Sequence, residues 1–219
     1  MIRKLTRGLL LTLLFFAGFY LPVALAETLL IDDFNKDLLA WEEESFKGRN
    51  QYQLIAAADG NQVLQASSSN SASALIQRIK IDPKEYPVLR WRWKIAATIP
   101  SGDARVKNQD DYPARIYVIF PHWFKPLSRT INYIWANKLP VGESIPSPYF
   151  QRSVMLAVES GNEKAGEWIV EERNLLDDYR RLFGEDPSPV GGIAIMTDTD
   201  DTGEEALAWY DDLKFISAD

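Results

Sequence analysis

The chain has 219 residues, no cysteine and a formal net charge of −7 at pH 7. Because an acidic chain repels phosphate, this composition argues against nucleic acid as a partner. The lack of cysteine excludes disulfides and thiol chemistry. A zinc site of the usual kind needs several histidine or cysteine ligands, and this chain has only one histidine, His122.

The N-terminus has the three parts of a signal peptide. Three basic residues precede the apolar segment Leu9–Tyr20, and Ala24-Leu25-Ala26 fits a cleavage site. The apolar segment is short for a transmembrane helix. We therefore predict that residues 1–26 are cleaved and that residues 27–219 form one domain in the periplasm, with no stable membrane span after cleavage. Retention of the segment as an N-terminal anchor is the alternative.

From Thr28 onward, short apolar stretches alternate with turn signals. This spacing is typical of about eleven or twelve strands in an all-β, two-sheet antiparallel β-sandwich of the jelly-roll or galactose-binding type. The segments Phe150–Glu159 and Glu167–Arg173 flank Gly161-Asn162, which predicts a hairpin. One helix is expected at residues 174–183, with Asn174 as its N-cap.

The clearest strand is Pro87–Ile95, where apolar and basic residues alternate. Because side chains of a strand point to opposite faces in turn, the strand has one apolar and one cationic face. The apolar face comprises Leu89, Trp91, Trp93 and Ile95, and the cationic face comprises Arg90, Arg92 and Lys94. We predict that the apolar face lies in the core and that Arg90 and Arg92 bind a ligand.

A second group of candidate site residues lies in the loop and strand that follow. The ligand-binding candidates here are Lys107, Asp110, Asp111, Arg115 and Tyr117. Opposite charges close together suit a polar ligand, since arginine makes paired contacts with carboxylates or sugar hydroxyls. The alternative is an ion-pair network that ties the loop to the sheet. Trp135 is a candidate for stacking on a sugar ring, and core packing is its alternative role.

Several segments form a recognisable set: Arg90–Trp93, Lys107–Phe120, Arg173-Asn174, Asp178-Tyr179, Phe183–Glu185 and Met196–Gly203. Together they resemble a bacterial exported family known as domain of unknown function 3047. Pro113 and Asp201 depart from the pattern of the family. The resemblance implies an exported β-rich fold, and it implies no activity and no site residues.

A further likeness is at the level of the fold. The first strand carries Asp32-Asp33-Phe34 and the last carries Tyr210–Leu213, which is similar to the terminal strands of carbohydrate-binding jelly rolls. In such domains, terminal-strand carboxylates often hold a structural calcium, so the resemblance implies a possible calcium here. A fold-level likeness of this kind does not establish a function.

The segment Asp198–Gly203 is similar to the first half of a calcium-binding loop. Asp198, Asp200 and Thr202 offer oxygen ligands at alternate positions before a glycine, although Trp209 stands where such loops have a bidentate glutamate. These three residues are candidate ligands for a structural calcium, and an acidic exposed turn is the other interpretation. No other cofactor is required.

These features favour a periplasmic, non-catalytic binding protein whose ligand is a glycan or an anionic component of the cell envelope. One alternative is a carbohydrate-active enzyme that uses paired carboxylates. Another is a structural or assembly factor of the envelope that binds a protein. The sequence does not indicate an oligomeric state.

Overall fold

The computed structural model describes residues 26–58 and 60–218. The predicted signal peptide therefore lies outside the described residues, except for its last position. No helix in the described part of the chain is long and apolar enough to cross a membrane. The strands are β1 (Thr28–Asp32), β2 (Glu42–Lys47), β3 (Gln51–Ala56), β4 (Gln62–Ser69), β5 (Ala72–Ile81), β6 (Val88–Ile95), β7 (Ala114–Phe120), β8 (Arg129–Ala136), β9 (Ser144–Pro146), β10 (Ser153–Ser160), β11 (Ile169–Asn174), β12 (Val190–Asp198) and β13 (Glu205–Ile216), and the helix is α1 (Leu175–Phe183).

The strands form two sheets that pack face to face. Sheet A has the order β11-β6-β13-β4-β3, with β1 also paired to β13, and sheet B has the order β2-β5-β12-β7-β8-β10-β9. The pairing is antiparallel except between β8 and β10, which run parallel. The predicted two-sheet β-sandwich is therefore confirmed, with one parallel pair inside sheet B.

The core between the sheets is built on the apolar face of β6, as predicted. Trp91 and Trp93 are fully buried. Their rings meet those of Tyr133 and Trp135 on β8, with centroids 5.3 Å and 5.9 Å apart. Trp135 donates its indole N–H to the carbonyl oxygen of Gly161 at 3.0 Å. Because it is fully buried, Trp135 is a core residue, and the prediction that it contacts a ligand is wrong.

The helix begins at Leu175, one residue after the predicted start, and ends at Phe183 as predicted, with Asn174 as its N-cap. The Asn174 side chain accepts a hydrogen bond from the backbone N–H of Asp177 at 3.1 Å, which caps the first turn. Gly184 ends the helix with a φ of 74°, a left-handed conformation that glycine adopts without strain. Leu175 and Tyr179 are buried, so the helix packs its apolar face onto the sandwich.

The predicted hairpin at Gly161-Asn162 does not form, because its two strands belong to different sheets. β10 lies in sheet B and β11 lies in sheet A, so the turn carries the chain from one sheet to the other. Gly161 N–H donates to Ala136 O at 3.0 Å, and Gly166 N–H donates to Ile95 O at 2.8 Å. These two bonds attach the connection to both sheets.

Two long connections, the second of which includes the short edge strand β9, cover part of the outer face of sheet B. Residues 96–113 and 137–152 pack on this face, where Tyr112 and Leu139 contribute to a small apolar cluster. Asn137 joins the two loops, since its side chain donates to Asp111 O at 2.7 Å and accepts from Ile99 N–H at 2.8 Å. A side chain at Gly102 would lie 2.1 Å from the Asn137 amide, so a glycine is needed there.

Candidate functional site

A cavity of about 320 Å³ lies on the outer face of sheet B, between the two loops and the exposed ends of the strands. This volume is at the lower end of the range for small-molecule sites. Ile116 and Val118 of β7 point into the core. Because side chains alternate along a strand, Arg115 and Tyr117 point the other way, and they line the cavity together with Met196 of β12.

Three aromatic side chains form the walls. Phe46 is 59% exposed and Phe150 is 70% exposed, and Tyr149 lies next to them around the cavity. Phe46 is the extra residue of a β-bulge, because the pairing of β2 with β5 shifts between Ser45 and Lys47. Bulges re-aim side chains, which accounts for an aromatic residue at this rim.

Tyr149 and Phe150 lie in the loop that joins β9 to β10. The Ser147 hydroxyl accepts hydrogen bonds from the backbone N–H groups of both residues, at 3.2 Å and 3.4 Å. The Tyr149 hydroxyl donates to the carboxylate of Asp201 at 2.7 Å. Lys107 lies over the Tyr149 ring, with its Nζ 4.9 Å from the centroid. The wall is thus held in place by contacts from three directions.

Arg115 forms the polar floor, and its side chain is only 6% exposed. It pairs with the carboxylate of Asp198, and its guanidinium stacks between the rings of Tyr112 and Tyr117, 5.1 Å and 5.2 Å from their centroids. Its Nε has no hydrogen-bond partner among the described residues. A buried donor without a partner is unfavourable by about 1–3 kcal/mol, and because this atom has almost no accessible surface, the guanidinium supports the floor from below rather than donating from Nε into the cavity.

Carboxylates outnumber cationic groups around the cavity. Four of them line it, whereas Arg115 is the only basic residue among the lining side chains. Burial raises the pKa of Asp110 to about 6, although Arg115 and the Tyr112 hydroxyl act in the opposite direction. The four acidic residues are Asp110, Asp198, Asp200 and Asp201.

Two of these acids and one neighbour form a cluster with possible metal ligands. Asp111, Asp198 and Asp200 each offer a carboxylate oxygen, and these oxygens lie within 4.8 Å of one another. Burial and the neighbouring carboxylate of Asp111 raise the pKa of Asp200. Of the predicted calcium ligands, Asp198 and Asp200 are thus brought together.

The third predicted ligand, Thr202, takes a different role. Its backbone N–H donates to Asp111 at 2.6 Å, and its hydroxyl accepts from the N–H of Glu204 at 3.3 Å. Asp111 therefore supplies the third carboxylate of the cluster. The oxygens suit a hard cation such as calcium, although Asp198 already accepts from Arg115.

The structure separates the two groups of predicted ligand-binding residues. Asp110, Arg115 and Tyr117 line the cavity on sheet B, and Asp111 and Lys107 stand beside it. Arg90 and Arg92 lie on β6, and their side chains point to the outer face of sheet A. That face is on the opposite side of the sandwich.

On sheet A, the predicted cationic surface is already neutralised by the protein. Arg92 donates from Nε to Asp211 at 2.9 Å and lies 3.4 Å from Asp212. Arg90 lies 3.7 Å from Glu172. The two arginines of the cationic face of β6 thus pair with acids on the adjacent strands β11 and β13.

The third cation of this face, Lys94, lies over two half-buried tryptophans, Trp168 just before β11 and Trp209 of β13. The Lys94 ammonium lies 5.4 Å from the ring centroid of Trp168 and 4.3 Å from that of Trp209. Cations over these rings occupy the faces on which a sugar would stack. The terminal-strand carboxylates are likewise engaged: Asp32 accepts from the Trp41 indole N–H at 2.7 Å, and Asp211 binds Arg92.

Two other cavities differ from this one in their lining. One of about 590 Å³ is lined mainly by small and polar side chains, without an aromatic residue. Another, of about 460 Å³, lies beside Pro121, His122 and the end of α1. Only the cavity on sheet B combines exposed aromatic walls with a buried ionic floor among the cavities described.

Phe46, Tyr149 and Phe150 were missed by the sequence analysis. Phe46 follows a charged segment in an edge strand, and Tyr149-Phe150 follows Pro146 and Pro148. Aromatic residues inside a proline-rich loop have little core to pack into, which is a signal for a binding role. Nothing local indicated that the loop lies beside Arg115.

Comparisons with known proteins agree with the architecture. A family model described as "Protein of unknown function (DUF3047)" matches residues 39–214. No curated protein matches the chain. The family 11 carbohydrate-binding module of a cellulosomal cellulase of Clostridium thermocellum is similar, with 11% identity, coverage of 89% of this chain and 97% of that one, and a TM-score of 0.51.

Two further solved structures are similar at lower scores. The family 30 carbohydrate-binding module of another Clostridium thermocellum cellulase has 12% identity, 82% and 92% coverage and a TM-score of 0.48. A beta-1,2-glucanase from Parabacteroides distasonis has 11% identity, 82% coverage of this chain, 23% of that chain, and a TM-score of 0.43. At these identities the likeness concerns the fold alone.

Proposed function

We propose that this chain, which belongs to the DUF3047 family of proteins of unknown function, is a non-catalytic glycan-binding protein. The cavity on sheet B is the binding site. The observation that carries the proposal is the pair of exposed aromatic rings, Phe46 and Phe150, beside a buried ionic floor. Single exposed apolar side chains are common on protein surfaces, but exposed aromatic side chains grouped around a cavity are typical of a binding site.

The chemistry of the cavity suits a sugar ring. A pyranose has apolar C–H faces and a rim of hydroxyl groups, so it needs aromatic walls together with hydrogen-bond donors and acceptors. Phe46 and Phe150 supply the walls, the carboxylates accept hydrogen bonds from hydroxyl groups, and the hydroxyls of Ser147 and Ser153 can donate. The fold shared with a module named as carbohydrate-binding supports the proposal.

The test is a screen of the protein, lacking residues 1–26, on a panel of immobilised oligosaccharides, followed by titration of any sugar that binds. We expect Phe46→Ala and Phe150→Ala each to weaken binding about tenfold, which corresponds to about 1.4 kcal/mol. Trp123→Ala is the control, since Trp123 is 90% exposed and follows the end of β7 remote from Arg115.

The outcomes separate the proposal from its alternatives. The glycan-binding proposal is contradicted if no sugar on the panel binds. It is also contradicted if Phe46→Ala and Phe150→Ala leave binding unchanged. If glycans fail and Trp123→Ala instead abolishes the capture of a protein from the envelope, the assembly-factor alternative is favoured. The exposed Trp123 and Phe124 would then be the contact surface.

A second candidate function is a carbohydrate-active enzyme that uses the same cavity. Asp110, whose pKa is raised to about 6 by burial, has the property of a general acid, and Asp201 is a second carboxylate in the cavity. The test is chromatography of each bound oligosaccharide after incubation with the protein. Shortened products that disappear in Asp110→Asn favour the enzyme, and an unchanged sugar favours the binding protein.

The location in the periplasm is part of the proposal and is supported by the pattern of residues 1–26. Mass spectrometry of the protein from its native host should find Glu27 as the first residue. Intact Met1 on a protein in the cytoplasmic fraction would contradict export. Intact Met1 in the membrane fraction would favour the retained anchor.

A further inference from the structure

We infer that the cavity on sheet B selects a glycan with a free amine, that is, an amino sugar that is not N-acetylated. This inference rests on the proposed glycan-binding function, and it names the chemical class of the ligand. It replaces the expectation of an anionic ligand, because the charge around the cavity has the wrong sign for an anion.

The charge balance is the first observation. Asp198 is neutralised by Arg115, which leaves three further carboxylates on the cavity wall, those of Asp110, Asp200 and Asp201. Among the described residues, none of these three forms an ion pair within 4.0 Å. The Tyr112 and Tyr149 hydroxyls that donate to Asp110 and Asp201 carry no charge.

The nearest lysines do not neutralise these three carboxylates. The Lys47 ammonium donates to the backbone oxygen of Asp200 at 2.6 Å and to Asn70 at 3.1 Å, so it stays at the rim. Lys107 lies over the Tyr149 ring. An ammonium brought by the ligand would meet several carboxylates inside a partly buried cavity, where charge interactions are stronger than in water.

The floor and the walls restrict the ligand further. A metal ion would satisfy the carboxylates, but it offers nothing to the aromatic walls or to the Ser147 and Ser153 hydroxyls that line the cavity. A hydroxyl suits an acceptor such as a sugar hydroxyl or ring oxygen. Phe46 and Phe150 add apolar surface, and aromatic rings also attract ammonium groups. An amino sugar presents an ammonium, oxygen acceptors and an apolar ring face in one molecule.

A matched series of trisaccharides tests the inference. β-1,4-linked trisaccharides of glucosamine, N-acetylglucosamine and glucose differ only at C2, so a difference in affinity reports on the amine. Titrations near neutral pH, with EDTA to remove divalent cations, should show the glucosamine trisaccharide at least tenfold tighter than the other two. The preference should shrink as sodium chloride is added, because salt screens charge.

Variants locate the preference in the cavity. Asp200→Asn and Asp201→Asn should each reduce the affinity for the glucosamine trisaccharide severalfold and change that for the glucose trisaccharide little. Glu172→Gln is the matched control, since Glu172 pairs with Arg90 on the opposite face and should affect none of the three sugars. Thermal melts establish that each variant is folded.

The failure of this inference differs from the failure of the proposed function. Equal affinities for the glucosamine and glucose trisaccharides, both weakened by Phe150→Ala, overturn the amine selectivity and leave glycan binding standing. If no sugar in this series or on the wider panel binds, glycan binding itself fails. A preference for glucosamine that Asp200→Asn and Asp201→Asn leave intact also overturns the inference, because the amine would then be recognised elsewhere.

Discussion

The outer faces of the two sheets carry the same chemical pair in different surroundings. On sheet A, Arg92 of β6 pairs with Asp211 of β13, and the Arg92 side chain is 23% exposed. On sheet B, Arg115 of β7 pairs with Asp198 of β12, and the Arg115 side chain is 6% exposed. In each case two adjacent strands of a sheet supply an arginine and an aspartate.

The two ion pairs differ because long loops cover the pair on sheet B. Sheet B is covered by residues 96–113 and 137–152, which bring Tyr112 over Arg115 and place Tyr149 and Phe150 beside it. On sheet A, Arg92 has a second carboxylate within reach, that of Asp212 at 3.4 Å. An ion pair that loops cover with aromatic side chains can form the floor of a binding cavity. An ion pair with additional carboxylate partners and no such cover mainly stabilises its sheet.

Breaking the pair on sheet B should have the largest effect. Arg115→Met leaves Asp198 buried without a counter-charge, so we expect a loss of about 3–5 kcal/mol in the free energy of unfolding. Urea unfolding measures it. The double variant Arg115→Met with Asp198→Asn should recover much of the loss, since no buried charge remains. A loss below about 1 kcal/mol in the single variant would show that the pair is not buried.

Calcium tests the acidic cluster beside that pair. If Asp111, Asp198 and Asp200 hold the ion, calcium at a hundredfold excess over its Kd should stabilise the fold by about 2.7 kcal/mol. Thermal melts in calcium and in EDTA measure this, and Asp200→Asn should remove the difference. The same melting temperature under both conditions excludes a stabilising calcium site.

Breaking the pair on sheet A should have a smaller effect. Arg92→Ala removes charged hydrogen bonds to Asp211, but the Arg92 side chain is 23% exposed, so water can take its place beside the carboxylate and we expect a loss of about 1–3 kcal/mol. Arg90→Ala is the matched control and should change stability by less than about 1 kcal/mol, because its contact with Glu172 is exposed. Both variants should keep full glycan affinity in titrations. Lost affinity in Arg92→Ala would place the binding site on sheet A.

Sheet A also contains a half-buried acid away from the cavity, Glu171, and its effect on stability depends on pH. Burial, and secondarily the carboxylate of Glu159, raises the pKa of Glu171 to about 7, while Lys164 and Arg173 oppose the shift. The folded state therefore binds this proton more tightly than the unfolded state. Its contribution to stability is present below the unfolded pKa of 4.5 and is lost as pH rises through about 7.

The variant Glu171→Gln tests the direction of this dependence of stability on pH. It keeps an acceptor for the Trp93 indole N–H, which lies 3.3 Å from Glu171. We expect the variant to be more stable than the wild type at pH 7.5 by about 1–2 kcal/mol and nearly equal to it at pH 5. Urea unfolding at the two pH values measures the difference. A wild type that is the more stable protein at pH 7.5 would mean that the Glu171 carboxylate is not desolvated.

Much of the architecture follows from local pattern. The alternation in Pro87–Ile95 correctly places Trp91 and Trp93 in the core, because a strand turns successive side chains to opposite faces. The helix of residues 174–183 was likewise predictable, since Asn174 and Gly184 supply its caps within the same segment. Such signals need only neighbouring residues, so a sequence determines them by itself.

The candidate site was only partly predictable. Two separate motifs, one around Asp110 and Arg115 and one around Asp198 and Asp200, were identified, and the structure joins them into one cavity. Arg115 and Asp198 are 83 positions apart in the chain. Their pairing depends on β12 lying next to β7, which no local pattern records.

Only the tertiary structure decided which surfaces stay open. Trp135 and Phe150 are both aromatic, yet one is sealed between the sheets and the other stands at the rim of the cavity. The hairpin expected at Gly161-Asn162 failed for the same reason, because β10 and β11 joined different sheets. Alternation indicates which side chains share a face, but burial depends on what packs against that face, and here distant loops and strands supply the cover.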